Sequence, residues 1–298
     1  MVCLKIAVIE YRSTPPRSAQ ELLEAIERKN HTPVYLKAHM LDAVISRRGI
    51  TIYHGKEEVN IDAAILRNIG FFLSLEVFMK RLGVLEALAQ KIPVVNNPVA
   101  SFTARDKWRC LLKLSMSDIP VPETLITENP FSAMHFISTK KKAVLKPIMG
   151  SLGLGSVLIA DPDVAFNTTR SLKNAGIPSY YQVFLEKPGY DYRVFVVGDH
   201  VIGAMKRTSS YWKTNIAQGA QGIAVKVEEE PEIYNLALKA TKILDLEYAG
   251  VDIAYDTVTQ KYYVLEVNAF PHWEGLRRAT GINPPDYIIE YVINKVKR

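Results

Sequence analysis

The chain has 298 residues, 48% hydrophobic and 23% charged, with a formal net charge of +6. That balance excludes a disordered protein, a fibrous repeat and a coiled coil, and the length allows about two domains, or three small ones, around a sizeable core. Only Cys3 and Cys110 are cysteines, which excludes a disulfide scaffold and points to a reducing compartment.

No apolar run reaches the roughly 18 residues of a membrane span. The N-terminus MVCLKIAVIEY has no basic leader and reads as a first strand, so a cytoplasmic location is expected. The positive charges are scattered. The dense runs, Lys140 to Lys142 and Lys295 to Arg298, suit a solvated turn and a terminus. No basic stripe with interleaved aromatics is present, so small acidic ligands fit the charge better than nucleic acid.

Leu4 to Ile9 predicts a strand. Ser18 to Glu21 reads as a capping box opening a helix, with Leu22, Leu23 and Ile26 on one face. Val34 to Leu36, Ala63 to Leu66 and Ile92 to Val95 predict strands, with a helix over Glu76 to Ala89. Strands separated by helices imply a parallel sheet. Thr103 to Ser115 predicts a helix capped by Thr103 and ended by Ile119-Pro120-Val121-Pro122.

From Ala143 the chain becomes strand-rich. Strands are predicted at Ala143–Lys146, Ser156–Ile159, Tyr180–Leu185, Asp191–Val197, Val201–Lys206, Gly250–Tyr255 and Tyr262–Val267, with a hairpin turn at Gly198-Asp199. Glu232 to Leu244 predicts a helix, and Pro284-Pro285 opens the last one.

Four segments carry candidate chemistry. In VLKPIMGSLGLG a strand delivers Lys146, followed by a glycine-rich loop, Gly150 to Gly155. Glycines let backbone N–H groups approach phosphate oxygens, although the spacing is neither Walker A nor Rossmann. A plain hairpin is the competing reading. Next, GVDIAY and YVLEVN place Asp252, Glu266 and Asn268 on strand faces, an all-oxygen set suited to Mg²⁺ or Mn²⁺. A solvated sheet face is the alternative. Asp191 and Arg193 share a face of a strand, where the arginine could stabilise developing charge or simply pair with Asp191. Finally, Tyr211 to Ala220 has the aromatics and glycine of a loop that closes over a site, or of an ordinary surface loop.

The order of these motifs is more specific than any one of them. Arg105-Asp106-Lys107, the Ile-Pro-Val-Pro segment, VLKPIMGSLGLG, YQVFLEKPGYDYRVFVVGD, WKTNIAQGAQG, GVDI and LEVNAFPHWEGLRRATG follow in turn from about Asn96 to Gly281. This series resembles the ATP-grasp ligases, and among them the RimK-like α-L-glutamate ligases. The resemblance implies an α/β and α+β protein: an N-terminal parallel α/β domain (1–98), a central domain with the glycine-rich loop (99–185) and a C-terminal domain with the metal site (186–298), the last two clasping ATP.

The same resemblance implies residue roles. Lys107 and Lys146 would meet the ATP phosphates, under a loop containing Gly150, Ser151, Gly153 and Gly155. Gln182, Val183, Phe184 and Leu185 would line adenine, Glu186 would bind ribose, and Asp191 would border the nucleotide site. Asp252, Glu266 and Asn268 would hold one or two Mg²⁺ or Mn²⁺ ions. Arg193 and Arg207 would face the transferred phosphate, and Asn215 would contact substrate. The implied reaction phosphorylates a carboxylate and lets an amine attack the acyl phosphate, giving an amide, ADP and phosphate.

Several positions depart from the family pattern. Val183 replaces an acidic residue, Gln218 and Ala220 stand in for arginine and glycine, and His272 replaces a glycine. The segment Pro271 to Leu276 looks more like archaeal ligases that add glutamate to tetrahydromethanopterin or the deazaflavin coenzyme, with His272 and Trp273 placed to stack on a pterin-like ring or Trp273 serving as a core anchor. L-Glutamate and an acidic small-molecule acceptor are the expected substrates. A protein C-terminus or amino-group carrier protein, or a nucleotide-binding regulatory module without turnover, are the alternatives. The family habit is a homodimer or homotetramer.

Overall fold

The computed structural model describes residues 2–70, 74–150, 155–209, 211–212 and 221–297. The chain runs β1 (Lys5–Glu10), α1 (Arg17–Arg28), β2 (Thr32–Lys37), β3 (Leu41–Ser46), β4 (Gly49–His54), β5 (Glu57–Glu58), β6 (Ala63–Leu66), α2 (Leu75–Ala89), β7 (Val94–Val95), α3 (Pro98–Arg105) and α4 (Lys107–Ser115). It continues with β8 (Thr124–Thr127), α5 (Pro130–Lys140), β9 (Ala143–Lys146), β10 (Val157–Ile159), α6 (Pro162–Asn174) and β11 (Ser179–Val183). The last part holds β12 (Tyr190–Val197), β13 (His200–Thr208), β14 (Gln221–Val225), α7 (Pro231–Ile243), β15 (Tyr248–Asp256), β16 (Lys261–Asn268), α8 (Glu274–Thr280) and α9 (Pro284–Val296).

The N-terminal strands form a parallel sheet in the order β2-β1-β6-β7. Residues of β1 and β6 are buried throughout save Lys5, as both faces of a parallel sheet are covered. An antiparallel meander, β3-β4-β5, stands beside it; its mostly exposed β3 carries too little alternation to be read from sequence. A second antiparallel sheet runs β10-β9-β11-β8, and α5 packs against α6 beside it. The third, β14-β13-β12-β15-β16, carries most of the candidate chemistry. Val197 pairs with His200 across the predicted turn, where Gly198 has φ +59°, a left-handed conformation that favours glycine.

Two helix starts differ from the sequence reading. Ser18 lies inside α1, whose cap position is Pro16, so there is no capping box. The expected single helix from Thr103 is two helices. Asp106 interrupts it and caps α4, accepting from the N–H groups of Trp108 and Arg109, so Thr103 is interior to α3. A carboxylate caps a helix well because it accepts orphan N–H donors and lies at the positive end of the dipole.

Strand alternation divides the five-stranded sheet. Tyr192, Val194 and Val196 enter a core with Val251, Ile253 and residues of α7 such as Ile233 and Ala240. Phe195, Val197 and Met205 enter another with Trp273, Leu276, the α9 residues Ile288 and Val292, and Ile6 and Val8 of β1. The second core therefore joins the first and last parts of the chain. Glu21 of α1 reinforces it, accepting from Trp273 Nε1 at 2.6 Å and from both terminal nitrogens of Arg277 at 2.8 and 2.9 Å. Burial alone would raise the Glu21 pKa, but these hydrogen bonds bring it down to about 2.

Asn96, just past β7, is fully buried. Its amide nitrogen donates to the carbonyls of Tyr248 and Ala269, and its oxygen accepts from the N–H groups of Glu247 and Tyr248, each at 2.8 Å. One side chain thus ties the N-terminal sheet to the start of β15 and the end of β16. Replacing Asn96 with Ala strands these buried backbone groups. A loss of about 3 kcal/mol in urea unfolding is expected, against near-neutral effects at exposed positions.

Candidate active site

The register of the five-stranded sheet brings opposite charges side by side. Asp191 lies across from Arg207, Arg193 across from Asp252, and Asp252 across from Glu266. Asn268 is opposite Gly250, two residues along the same face. The alternation expected for Asp252, Glu266 and Asn268 is therefore realised in one row of neighbouring strands.

The ion pairs differ from the simplest reading. Asp191 does not pair with Arg193. It accepts from Arg207 Nε at 2.7 Å and faces Lys187 Nζ at 3.7 Å. Arg193 is a two-point partner of Asp252, through Nε to Oδ1 and through Nη2 to Oδ2, the latter at 2.8 Å. Arg207 Nη2 also reaches Asp252 Oδ1 at 3.2 Å. Same-strand neighbours on one face are too far apart for the short Asp191 carboxylate, whereas directly opposed residues meet. Burial alone would raise the Asp252 pKa, but Arg193 and Arg207 hold it below the usual carboxylate range.

Glu266 and Asn268 stand apart from this pairing. Among the described residues the Glu266 side chain has no hydrogen bond or ion pair, and the Asn268 side chain uses only its Nδ2, towards Gly250 O at 3.5 Å. Their oxygens are free to coordinate. No three His, Cys, Asp or Glu side chains gather as a metal site among the described residues. A Mg²⁺ ion would rest on Asp252, Glu266 and Asn268 together with a nucleotide's own phosphates. That is how this hard, reluctantly dehydrated cation is usually held, and the donor set fits it.

Two lysines approach from the other side. Lys146, at the end of β9, donates to Gln182 Oε1 on β11 at 2.5 Å. Gln182 is buried, and among the described residues its Nε2 has no partner. Burial of the Lys146 ammonium lowers its pKa to about 8; Glu266 and Asp252 pull upward, while Lys107 and Lys187 push down. All these groups therefore share one electrostatic environment. Lys107 is buried, and its Nζ donates to Gly150 O at 2.8 Å, tying α4 to the start of the glycine-rich segment. Gly155, at the far end of that segment, has φ +74°.

The backbone N–H groups of Val183 and Phe184 donate to Glu123 O and Lys142 O. Phe184 lies 6.3 Å from Trp212, and Leu185 is half-buried. Glu186 is exposed and paired with Lys142 at 3.0 Å, its N–H held by Asp256. Ser151, Gly153 and Asn215 lie outside the described residues, as does most of the Tyr211 to Ala220 segment.

Lys187 was not singled out from the sequence. Burial lowers its pKa, and Asp191 counters this; its position in Glu-Lys-Pro-Gly, directly before the β12 charges, was the available signal. Gly250 was likewise passed over. A Cβ there would lie 2.8 Å from Pro271 Cβ and 3.2 Å from Arg193 Nη1, so only glycine lets the guanidinium lie against the strand. The structure also decides between the two readings of Trp273. The ring is 2% exposed in the second core with the Arg67 guanidinium 4.4 Å from its centre, so it anchors the core and cannot stack on a ligand.

The RimK-like ATP-grasp domain matches residues 104–292. This chain belongs to the RimK-like ATP-grasp family. Similar relatives include the tetrahydromethanopterin:α-L-glutamate ligases of Methanococcus maripaludis, 32% identical over 93% of this chain and 94% of that one, and of Methanocaldococcus jannaschii, 36% identical over 80% and 81%. A probable α-L-glutamate ligase of Trichodesmium erythraeum is 32% identical over 97% and 96%. Among solved structures, the ATP-grasp ligase PsnB complexed with a minimal precursor, Mg and ADP aligns with a TM-score of 0.74 at 21% identity over 98% of both chains. The RimK-domain protein from Sphaerobacter thermophilus aligns at 0.70 and 19%, over 97% of this chain and 99% of that one. The fold is ATP-grasp, and the RimK-like family makes the protein an ATP-dependent ligase that forms C–N bonds. Among the described residues no helix is long and apolar enough to cross a membrane.

The two kinds of carboxylate should separate in stability measurements. Asp252→Ala leaves two buried guanidiniums short of a counter-charge and is expected to cost about 3–5 kcal/mol in chemical unfolding. Glu266→Ala removes no partner and should stay within about 0.5 kcal/mol of wild type.

Proposed function

We propose that the protein joins L-glutamate to an acidic small-molecule coenzyme of the tetrahydromethanopterin kind, through an acyl phosphate formed from ATP. The observation that carries this reading is the meeting of free oxygens on Glu266 and Asn268 with the Arg193–Asp252 pair and the perturbed Lys146. The names of the relatives from Methanococcus and Methanocaldococcus support the choice of substrates.

In this mechanism the acceptor carboxylate attacks the γ-phosphorus and ADP leaves. The carboxylate and the phosphates repel one another. Lys146 and Lys107 offset that charge on the nucleotide side, and Arg193 faces the transferred group. Arg207 is 3% exposed and engaged by Asp191 and Asp252, so its work is to fix those groups and not to touch substrate. Bound Mg²⁺ supplies charge neutralisation of the phosphates. The glutamate amine, once deprotonated, attacks the acyl carbon, the amide forms, and phosphate departs. Gln182, Val183, Phe184 and Leu185 border the adenine, Glu186 the ribose, and the Gly150–Gly155 segment covers the phosphates and keeps water from the intermediate. Asn215 is assigned to substrate contact.

The test is ADP release with ATP, Mg²⁺, each common amino acid and a panel of acceptors. The panel holds pterin and deazaflavin coenzymes and proteins with acidic C-termini. Glutamate-dependent release with a coenzyme supports the reading. Release only with a protein moves the acceptor to a polypeptide, and bound ATP without any release removes the ligase assignment for these substrates.

Lys146→Ala and Glu266→Ala should each abolish ADP formation while retaining the wild-type circular dichroism spectrum. The pH dependence has a definite sign. Lys146 is cationic below about pH 8 and neutral above, and phosphates favour the cation. ATP affinity should therefore fall as pH rises through 8, and Lys146→Arg should flatten that fall in a calorimetric titration.

A further inference from the structure

The meander β3-β4-β5 ends on a bare edge. β3 pairs with β4 on one side, and among the described residues no strand pairs with its other side. Leu41 is buried, whereas Asp42 to Ser46 are all exposed, Val44 at 51% and Ile45 at 83%. Sheet edges are ordinarily blunted by proline, by lysine or by a covering element. The strand LDAVIS contains neither residue. Cover comes at its start, where Lys80 of α2 donates to Leu41 O and pairs with Asp42 at 2.9 Å. From Ala43 onward the edge is open.

Hydrogen bonds on the far side of β4 show which groups of β3 face outward. Ile52 O accepts from Val59 N at 2.9 Å, and Ile50 O accepts from Lys91 Nζ at 2.7 Å. In an antiparallel strand the N–H and C=O of one residue point to the same side. Ile50 and Ile52 therefore point away from β3. Their opposite residues, Ile45 and Ala43, point away from β4. Each presents one donor and one acceptor at the free edge, and neither has a partner there among the described residues.

Charge gives this edge a direction. Asp42 lies near the start of β3, and Arg47 and Arg48 form the turn that follows it. A parallel second copy of the strand would set like charges against each other, which destabilises a strand pair. An antiparallel copy sets the acidic end against the basic end. Only the outward residues can exchange hydrogen bonds, so Ala43 must meet Ala43 or Ile45 of the second copy. Ala43 opposite Ile45 satisfies all the free groups of both residues in both copies and places Val44 opposite its own counterpart. Ala43 opposite Ala43 would instead set Val44 against Asp42.

We propose that β3 is the contact between two copies of this chain, joined about a two-fold axis at Val44 into one six-stranded antiparallel sheet. Both copies use the same edge, so the assembly closes at a dimer. A strand pair this short buries less surface than a standard interface. Association is therefore weak, with a dissociation constant of about 10–100 μM.

The test is sedimentation velocity of the full chain between about 1 and 500 μM, over which the mass should rise from monomer to dimer. Ala43→Pro removes an outward N–H and leaves the β3–β4 ladder alone, and proline is tolerated on an edge strand at such a position. Val44→Lys sets two like charges at the axis. Each should weaken association about tenfold or more while the circular dichroism spectrum stays that of wild type. If Ala43→Pro fails to fold, Val44→Lys and cross-linking carry the test. Met116→Lys, at an exposed apolar residue that ends α4, should leave association unchanged. Cross-linking reads the register. A Cys3→Ser background leaves only the buried Cys110. There Val44→Cys should give a covalent dimer on oxidation with copper–phenanthroline, because directly opposed residues of a non-hydrogen-bonded pair are within disulfide reach. Ile45→Cys should not, because its two copies lie beyond the roughly 7 Å limit between Cα atoms. A monomer at every concentration overturns the proposal. So does a dimer that survives both Ala43→Pro and Val44→Lys, a dimer that Met116→Lys abolishes, or equal cross-linking by the two cysteine variants.

Discussion

Asp252 holds a buried negative charge between two guanidiniums, and much of the molecule is arranged to keep it there. Its charge is tolerable only because Arg193 grips both oxygens and Arg207 reaches one of them. Arg207 is in turn balanced by Asp191, and Asp191 by Lys187. Each member depends on the next, so the row behaves as a unit. That fixes the face on which Glu266 and Asn268 are presented without engaging their own oxygens. In the proposed function these groups are already oriented by their neighbours, so no reorganisation is needed when charge arrives.

The row is fixed in turn by contacts from distant parts of the chain. Asn96 holds the beginning of β15 and the residue after Asn268, so the spacing of the two strands is set from the N-terminal sheet. Trp273 and Glu21 close the same junction from the far side of the second core. The N-terminal sheet therefore braces the strands that carry Asp252, Glu266 and Asn268. Arg67, just beyond β6, donates to Pro271 O, and Pro271 in turn packs at Gly250 beside Arg193.

Much of this was legible in the chain. Strand period placed Asp252, Glu266 and Asn268 correctly on one face, and Gly198-Asp199 marked its hairpin. The alternation of strands and helices announced the parallel sheet. Local signals misled where two residues competed for the same task. Ser18 has the pattern of a cap, but Pro16 fixes an earlier start for α1. Thr103 has a capping side chain, but Asp106 is the stronger acceptor and splits the helix. The β3–β5 meander escaped notice because its exposed strand has no buried face to impose alternation.

The sequence by itself determined the residue types and their spacing along each strand, because side-chain direction in a strand has a period of two. It also carried the motif order that marks the family. It could not determine who pairs with whom. Asp191 and Arg193 are neighbours in sequence, but each finds its partner across a strand boundary, and register between strands is a tertiary property. Nor could it show that Arg67 is buried against Tyr248 and Pro271, or that Trp273 is sealed in a core. Both facts depend on segments some two hundred residues apart coming into contact. Burial and long-range proximity set the electrostatics of this site, and only the folded chain supplies them.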